Sequence, residues 1–276
     1  MRCRSRPVAV AVALALVLFA ATAVAGPEGV KSALAERLKQ QVAELGASDY
    51  ALGSAAFDPE LRAKIDAQKD AAAPVVEEGA RIWKRKFADK RSLGACFPNG
   101  GRRIAAHYPQ YDPRLKRVVT LEMAINQCLK VHQEPLFETA DPATMGAATA
   151  YVRSLSEGLK LAVRVPAAGE PSFEQGRRLY FARMGQRNYA CASCHVQNAG
   201  KHYGDAALSA AIGQATYWPI VRDGRAVTLQ AQIRECLERM GAAAFSAGSD
   251  ELNDLEYFLT YLSNGLPLKP NAWRPK

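Results

Sequence analysis

The sequence predicts an all-α fold built from two tandem copies of one helical domain, and three observations indicate it. Apolar residues recur with the period of a helix near 28–45, 75–88, 118–132, 143–160, 172–184, 227–240 and 250–263. Strand-like alternation is nearly absent, and turn-rich stretches separate the helical segments. Three blocks of sequence also recur in the same order, which indicates a duplicated domain.

The N-terminal segment has the features of an export signal. Three arginines lie among the first six residues, an apolar run covers 8–20, and Ala23-Val24-Ala25 is typical of a cleavage site before Gly26. The run is too short for a comfortable membrane span, although an uncleaved anchor is the alternative. We therefore expect residues 1–25 to be a signal peptide. The mature protein would then fold where disulfides form, without a membrane segment.

The composition is that of a globular protein. Of the 276 residues, 49% are hydrophobic and 23% are charged, which does not fit a disordered or fibrous chain. The formal net charge is +9, but the positive residues are spread along the chain rather than gathered in dense basic blocks. Nucleic acid is therefore not an expected partner. An anionic small substrate or an acidic protein partner fits the charge at least as well.

The internal repeat predicts the domain boundaries. Its blocks pair 77–83 with 174–180, 119–129 with 227–237, and 155–159 with 262–266. Chance similarity between amphipathic helices explains one such block but hardly three. We expect an N-terminal domain with a helical lead-in over 26–164 and a C-terminal domain over 165–276. A Pro/Ala/Gly-rich stretch at 165–171 has the composition of a linker between them.

The most specific motif is C-x-x-C-H, formed by Cys191, Cys194 and His195. Two thiols at this spacing can add to both vinyl groups of one haem, and the following histidine places an imidazole over the iron. A redox dithiol would be expected in a βαβ context, and a zinc site would need a second ligand pair, for which His202 and Cys236 are poor candidates. We therefore expect one haem c, with His195 as an axial ligand.

Two residues compete for the other axial position of this haem. Met240 is the natural candidate, since ordinary cytochromes c use methionine or histidine. Cys236 lies one helical turn earlier on the same face, so either side chain could point at the iron. The spacing alone leaves both open.

The first copy of the repeat retains only part of the motif. Cys96-Phe97-Pro98-Asn99-Gly100 occupies the equivalent position and lacks the second cysteine and the histidine, so no haem can attach there. Cys128 is the equivalent of Cys236, and His132 takes the place of Met240. We expect Cys96 and Cys128 to face each other across the haem position and to form a disulfide. The repeat thus favours Cys236 as a haem-facing residue. It also leaves Cys236 unpaired, which indicates either a function or an intermolecular disulfide.

Together these features resemble the SoxA family, the c-type cytochrome subunits of the periplasmic SoxAX complex of sulfur oxidation. The resemblance covers most of the mature chain. It rests on the C-x-x-C-H at 191–195, on Arg234-Glu235-Cys236-Leu237 placed 41 residues after His195, and on the paired cysteines of the first copy. It implies tandem cytochrome c-like domains, the first without haem, as in the mono-haem members, in which a disulfide replaces the first haem.

The resemblance also implies an activity. Such proteins pair with a small cytochrome c, SoxX, and act as an L-cysteine S-thiosulfotransferase that couples thiosulfate oxidatively to a cysteine of the carrier protein SoxYZ. Two electrons pass to c-type haem. For this chain, the resemblance implies axial ligation by His195 and Cys236, a persulfide on Cys236 as the catalytic sulfur, and a periplasmic location.

One position departs from the family pattern. The family usually has an arginine four residues before the catalytic cysteine, thought to hold the anionic substrate, and this chain has Gln232 there. Arg234 is close in sequence, but it points to a different helix face and is not an automatic replacement for that arginine. The candidate substrate-binding residues are Gln232 and Arg234. Three other cations lie nearby and are interpreted as solvated surface residues, namely Arg222, Arg225 and Arg239.

Two further functions stay open at this point. A plain electron-carrier cytochrome would use His195 and Met240 as ligands and would have no chemistry of its own. A SoxA-like protein that has lost thiotransfer is compatible with Gln232. A thiosulfate-to-tetrathionate dehydrogenase fits less well, because it would normally bring a second haem within one chain.

Overall fold

The computed structural model describes residues 26–42, 45–46 and 48–275. The predicted signal peptide, residues 1–25, lies outside this part of the chain. Among the residues described, no helix is both long enough and apolar enough to cross a membrane.

Helices dominate the described residues, as the sequence predicts. They are α1 (Pro27–Gln41), α2 (Pro59–Ala67), α3 (Ala73–Lys84), α4 (Leu121–Val131), α5 (Ala147–Ser154), α6 (Glu170–Phe181), α7 (Cys191–His195), α8 (Leu229–Arg239) and α9 (Asp250–Leu262). Short 3₁₀ turns connect several of them. The helix predicted over 143–160 is shorter than expected, because one π-helical turn at Pro142–Gly146 precedes α5 and a turn closed by Gly158 follows it.

Among the described residues, three antiparallel hairpins interrupt the helices. They pair β1 (Gln110–Asp112) with β2 (Arg117–Val119), β3 (His202–Tyr203) with β4 (Ala206–Ala207), and β5 (Ile220–Arg222) with β6 (Arg225–Val227). Each strand has two or three residues, which is too short to produce a readable alternation in the sequence. The all-α prediction is therefore confirmed, with hairpins as local additions.

Both copies of the repeat are built on the same helix crossing. In the first copy, a Cβ at Gly79 of α3 would collide with the carbonyl oxygen of Ala147 in α5. In the second, a Cβ at Gly176 of α6 would collide with the carbonyl oxygen of Asp254 in α9. Only glycine lets each pair of backbones approach this closely. The repeated glycine therefore has a packing role in each half.

Aromatic rings complete the crossing of α6 and α9. The ring of Phe258 lies 5.3 Å from that of Phe173 and 5.4 Å from that of Tyr180, measured between centroids. Tyr261 adds an edge contact with Phe173 at 5.3 Å. Phe173, Tyr180 and Phe258 are buried, so this cluster is the centre of the second hydrophobic core.

A hairpin followed by a capped helix also recurs in each half. The β1–β2 hairpin leads into α4, whose first turn is capped by the Thr120 hydroxyl accepting from the Met123 amide at 3.2 Å. The β5–β6 hairpin leads into α8, which Thr228 caps in the same way. These helices carry Cys128 and Cys236, so the two cysteines occupy equivalent places in the fold.

The N-terminal lead-in packs on the second half. Leu38 of α1 is buried in the same hydrophobic cluster as Phe173 and Phe258. Farther along, the carbonyl of Ala51 accepts from the Thr216 hydroxyl at 3.0 Å, and the carbonyl of Leu52 accepts from Arg274. Helix α1 and the described residues around Ala51 and Leu52 therefore pack on the second half before the chain enters α2.

The two halves also contact each other directly. Val75, Ala147 and Ala150 of the first half pack with Val221 and Ala226 of the second in one small apolar cluster. The predicted linker at 165–171 is packed rather than extended. It contains a 3₁₀ turn at Ala167–Gly169 and leads straight into α6. Buried Gly169 lies against the Tyr111 ring, so the linker has little freedom to move.

Candidate active site at the haem-attachment motif

The attachment motif forms one short helix, α7. The amide of Ala190 donates to the Ser193 hydroxyl at 3.0 Å, and Asn198 holds the Ser193 carbonyl at 2.7 Å. Within α7, Cys191 and Cys194 are three residues apart and therefore share one face of the helix. This is the spacing that two thioether bonds to one porphyrin require.

The imidazole of His195 is fixed by its own hydrogen bond. Its Nδ1 lies 2.8 Å from the carbonyl oxygen of Ser209 and 3.2 Å from the Ser209 hydroxyl. A carbonyl only accepts, so Nδ1 carries the proton and Nε2 keeps its lone pair. Burial lowers the pKa of His195, which favours this neutral form. A neutral histidine held through Nδ1 is the usual state of a metal-ligating imidazole.

Three free thiols lie in the second half. Cys191, Cys194 and Cys236 are the free cysteines among the described residues. Burial raises the pKa of Cys191 to about 12, and repulsion from Cys236 adds to this shift. Burial also raises the pKa of Cys194, again with a contribution from Cys236. Electrostatic effects of this kind weaken with distance, so Cys236 lies in the neighbourhood of the two cysteines of the motif.

These residues fit a c-type haem. The donor set comprises two thiols on one helical turn, an imidazole with a free Nε2 and a third sulfur from α8. Aromatic side chains border the same region, since Tyr180 and Tyr217 interact electrostatically with Cys236 and both are buried. Tyr217 had no signal in the sequence, because it lies in an irregular segment without periodicity.

Cys236 is approached by a chain of polar side chains. The Gln232 amide donates from Nε2 to the Cys236 sulfur at 3.5 Å. The Oε1 atom of Gln232 accepts from Nη2 of Arg222 at 2.7 Å. Arg222 also donates from Nη1 to Oε2 of Glu235 at 3.0 Å, and Glu235 lies 3.6 Å from Arg239. The guanidinium of Arg222 is thus connected to the Cys236 sulfur through two successive hydrogen bonds.

The other arginines named from the sequence have different surroundings. Arg225 contributes to lowering the pKa of Asp141, so it faces the first half. Arg239 is paired with Glu235. The Nε atom of Arg234 is buried and has no hydrogen-bond partner in the described part of the chain. Arg222 is therefore the cation that the structure links to Cys236, a role the sequence interpretation missed.

Met240 and His202 complete the set of candidate ligands. Met240 caps the C-terminal end of α8, one turn after Cys236, and its carbonyl accepts from the Arg187 amide at 3.1 Å. His202 is exposed on β3. The described contacts include no hydrogen bond between either side chain and the residues of the attachment motif.

The first copy carries a disulfide at the equivalent place. Cys96, in a 3₁₀ turn, is joined to Cys128 of α4. The Trp83 and Phe97 rings, 5.1 Å apart, belong to the same hydrophobic core as Cys128. His132 lies beside the disulfide and bonds Oδ2 of Asp89 through Nδ1 at 2.6 Å. At this place the first half is held together by the Cys96–Cys128 disulfide and by packed aromatic rings.

Both copies match one sequence family. Residues 78–161 and 175–268 fit the family described as SoxA/TsdA, cytochrome c domain. The chain belongs to the SoxA/TsdA cytochrome c family. The two matched segments fall on the two copies of the repeat, which confirms tandem cytochrome c-like domains as the fold.

Relatives within the family extend over most of the chain. The protein named L-cysteine S-thiosulfotransferase subunit SoxA from Allochromatium vinosum is 35% identical over 253 residues, covering 88% of this chain and 89% of its own length. The protein of the same name from Chlorobaculum tepidum is 38% identical over 204 residues, covering 72% of this chain and 70% of its own.

The fold also matches a solved structure. The crystal structure of SoxXA from P. pantotrophus aligns with a TM-score of 0.68 at 26% sequence identity. The alignment covers 74% of this chain and 78% of that one. The prediction from sequence that the chain resembles the SoxA family is thus confirmed.

Proposed function

We propose that this chain is the SoxA-type subunit of a thiosulfate-oxidising cytochrome complex with L-cysteine S-thiosulfotransferase activity. The observation that carries the proposal is the position of Cys236, a free thiol that interacts with both cysteines of the attachment motif. Relatives covering most of the chain carry this enzyme name. The family description also includes TsdA, but these relatives are named SoxA.

One haem c is the cofactor. Cys191 and Cys194 would hold it covalently, and His195 would offer Nε2 while the Ser209 carbonyl fixes its ring. When bound, the haem accepts electrons one at a time at the sulfur site. Cys236 would be a further residue holding the haem iron, because it interacts electrostatically with the cysteines of the motif and belongs to a helix position that bears cysteine in both copies.

Cys236 would provide the reactive sulfur. Its thiolate and the outer sulfur of thiosulfate form one S–S bond, and two electrons leave, which gives a protein-bound S–S–SO₃⁻ group. The thiolate of the carrier cysteine then attacks that disulfide-like bond, takes the thiosulfonate group and returns the Cys236 thiolate. The sum is RSH + S₂O₃²⁻ → RS–S–SO₃⁻ + H⁺ + 2e⁻. A resting persulfide on Cys236 would extend the reach of this sulfur without changing the sum.

The proposed partners follow from the same comparison. A small SoxX-type cytochrome c would form the complex, since the structural neighbour is a SoxXA structure. A SoxYZ-type carrier would provide the acceptor cysteine. The periplasm is the proposed location, on the basis of the signal-like residues 1–25 and the disulfide between Cys96 and Cys128.

The test is a pair of variants, one within α8 and one at its C-terminal cap. In Cys236→Ala, coupling of thiosulfate to a carrier thiol should be lost while haem content stays intact. Low-spin electron paramagnetic resonance signals with the narrow anisotropy of thiolate ligation should vanish in the same variant. Met240→Leu, one turn later on the helix, is the matched control and should keep both. If Met240→Leu changes the haem spectrum and Cys236→Ala does not, the chain is an electron carrier with His195/Met240 ligation.

A further inference from the structure

Gln232 stands where the family pattern expects a substrate-binding arginine, so the site needs another source of positive charge. The described contacts provide one. Arg222 donates to Oε1 of Gln232 at 2.7 Å, and Nε2 of Gln232 donates to the Cys236 sulfur at 3.5 Å. We propose that Arg222 and Gln232 together form the anion-recognising side of the Cys236 site, and this inference rests on the proposed function.

Arg222 fixes which way the Gln232 amide points. A guanidinium has only donors, so the group that it binds must be the amide oxygen. The amide nitrogen is then turned away from Arg222 and toward Cys236. A donor at this place favours negative charge on the sulfur or on an oxyanion next to it. Gln232 thus contacts the reacting group, and Arg222 is a positioning residue.

Arg222 also supplies the charge. Its carboxylate partner Glu235 lies 3.6 Å from Arg239 as well, so two guanidinium groups share this carboxylate. Two hydrogen bonds separate Arg222 from the sulfur, a distance within the Debye length of about 10 Å at 0.1 M salt. The thiosulfate dianion would therefore be attracted to Cys236.

The guanidinium retains an unused donor. The Nε atom of Arg222 is buried and has no hydrogen-bond partner among the residues described. A buried donor without an acceptor is costly, and an anionic oxygen is the acceptor that best satisfies it. The Arg222 guanidinium is therefore not fully neutralised by hydrogen bonds, and its charge favours a sulfonate, the oxygen-bearing end of thiosulfate, next to the Gln232 amide.

The hairpin itself offers a matched control. Arg225 is the cross-strand partner of Arg222 in the β5–β6 register, but its charge acts on Asp141 of the first half. Arg222→Gln and Arg225→Gln remove the same charge from the same hairpin. Only the first change removes a contact with the Cys236 site.

The experiment compares two alkylating reagents on the haem-loaded protein. Iodoacetate is an anion and iodoacetamide is neutral, so the ratio of their rates at Cys236 reports attraction of anions independently of sulfur reactivity. Mass spectrometry of the Cys236 peptide measures both rates. Arg222→Gln should lower the ratio about threefold or more, whereas Arg225→Gln should leave it unchanged. Glu235→Gln should raise it, and added salt should lower it in the unaltered protein.

Two results would overturn the inference. One is a ratio in Arg222→Gln equal to that of the unaltered protein. The other is an equal fall in Arg225→Gln, which would mean that only net charge matters. If Arg222→Gln does not load haem, the inference is tested with Arg222→Lys and with the salt series. Lysine keeps the positive charge and loses the two-pronged hydrogen bonding of the guanidinium. Thiosulfate coupling that survives Cys236→Ala would refute the proposed function while leaving the anion site intact.

Discussion

Cys128 and Cys236 occupy the same position in two copies of one helix. Each lies eight residues after the threonine that caps its helix, Thr120 in α4 and Thr228 in α8. Cys128 is bonded to Cys96, whereas Cys236 is free and interacts with the attachment cysteines. The duplicated domain therefore uses one helix position for covalent closure in the first half and keeps a free sulfur there in the second.

The disulfide should be present in the isolated protein. Peptide mapping without reduction should recover the peptides of Cys96 and Cys128 as one linked species, and free thiols at both would contradict this. Replacing both with alanine removes the cross-link and should lower the free energy of unfolding by about 2–5 kcal/mol, measured by denaturant titration. Haem content should not change, because the bond lies in the other half. Cys236→Ala is the control and should leave the linked species in place.

The protein should contain one haem, bound through two thioethers. Haem quantified against protein should give a ratio of one per chain, since the first half has neither a second cysteine nor a histidine at the attachment position. Cys191→Ala and Cys194→Ala should each keep haem through one thioether after denaturation. The double variant should release it. Haem that stays bound in the denatured double variant would contradict the assignment.

The two crossing glycines should not tolerate a methyl group. Gly176→Ala pushes α6 away from the Asp254 carbonyl and should cost about 1–3 kcal/mol of stability with partial loss of haem. Gly79→Ala should cost a similar amount while haem stays bound, because it disturbs α3 and α5.

Gly158→Ala provides the control for these substitutions. A Cβ there meets no neighbouring atom, and only its positive φ opposes the change. Its cost should therefore be smaller, about 1 kcal/mol. Equal costs at all three glycines, measured by thermal unfolding, would contradict the collisions.

A buried carboxyl between the two halves should make stability depend on pH. Burial raises the pKa of Glu256 to about 8, repulsion from Glu122 adds to this, and Arg153 opposes it. A carboxyl whose pKa is raised on folding binds more protons in the folded state, so stability falls as the pH rises toward 8. Glu256→Gln should flatten the change in melting temperature between about pH 5.5 and pH 8.

The control for this prediction lies on the same helix. Hydrogen bonds from its own backbone amide and from Ser249 lower the pKa of Glu251, so it stays ionised across this range. Glu251→Gln should therefore change the pH dependence less than Glu256→Gln does, acting only through the pKa of Asp254, which burial and the charges of Asp250 and Glu251 raise to about 7. An unchanged slope in Glu256→Gln would mean that the interface holds this carboxyl in its ionised form.

Periodicity and repetition were enough to predict most of the fold. The helices carry strong apolar stripes, and the repeat in the sequence aligns Cys128 with Cys236. The hairpins were not predicted, because two or three residues per strand leave no pattern. The packing of α1 on the second half could not be predicted either, since an amphipathic helix does not reveal which surface it covers.

The candidate site was predicted in the same uneven way. The C-x-x-C-H motif is local in sequence, so its spacing alone is enough to predict haem attachment. Arg222 lies 14 residues before Cys236 and reaches it through a β-hairpin and the Gln232 side chain. Sequence distance along a helix cannot describe such a contact. In the sequence, a solvated arginine cannot be distinguished from a functional one. The distinction needs the geometry of the hairpin that positions the side chain.

The position of α1 ties the start of the described chain to the candidate site. Leu34, Arg37 and Leu38 lie beside His195, and Gln41 donates to the carbonyl of Gln197. The surface next to this histidine is therefore covered by a helix that lies 156 positions earlier in the sequence than the carbonyl it binds. Removal of α1 by limited proteolysis should therefore expose the His195 side of the second half to solvent.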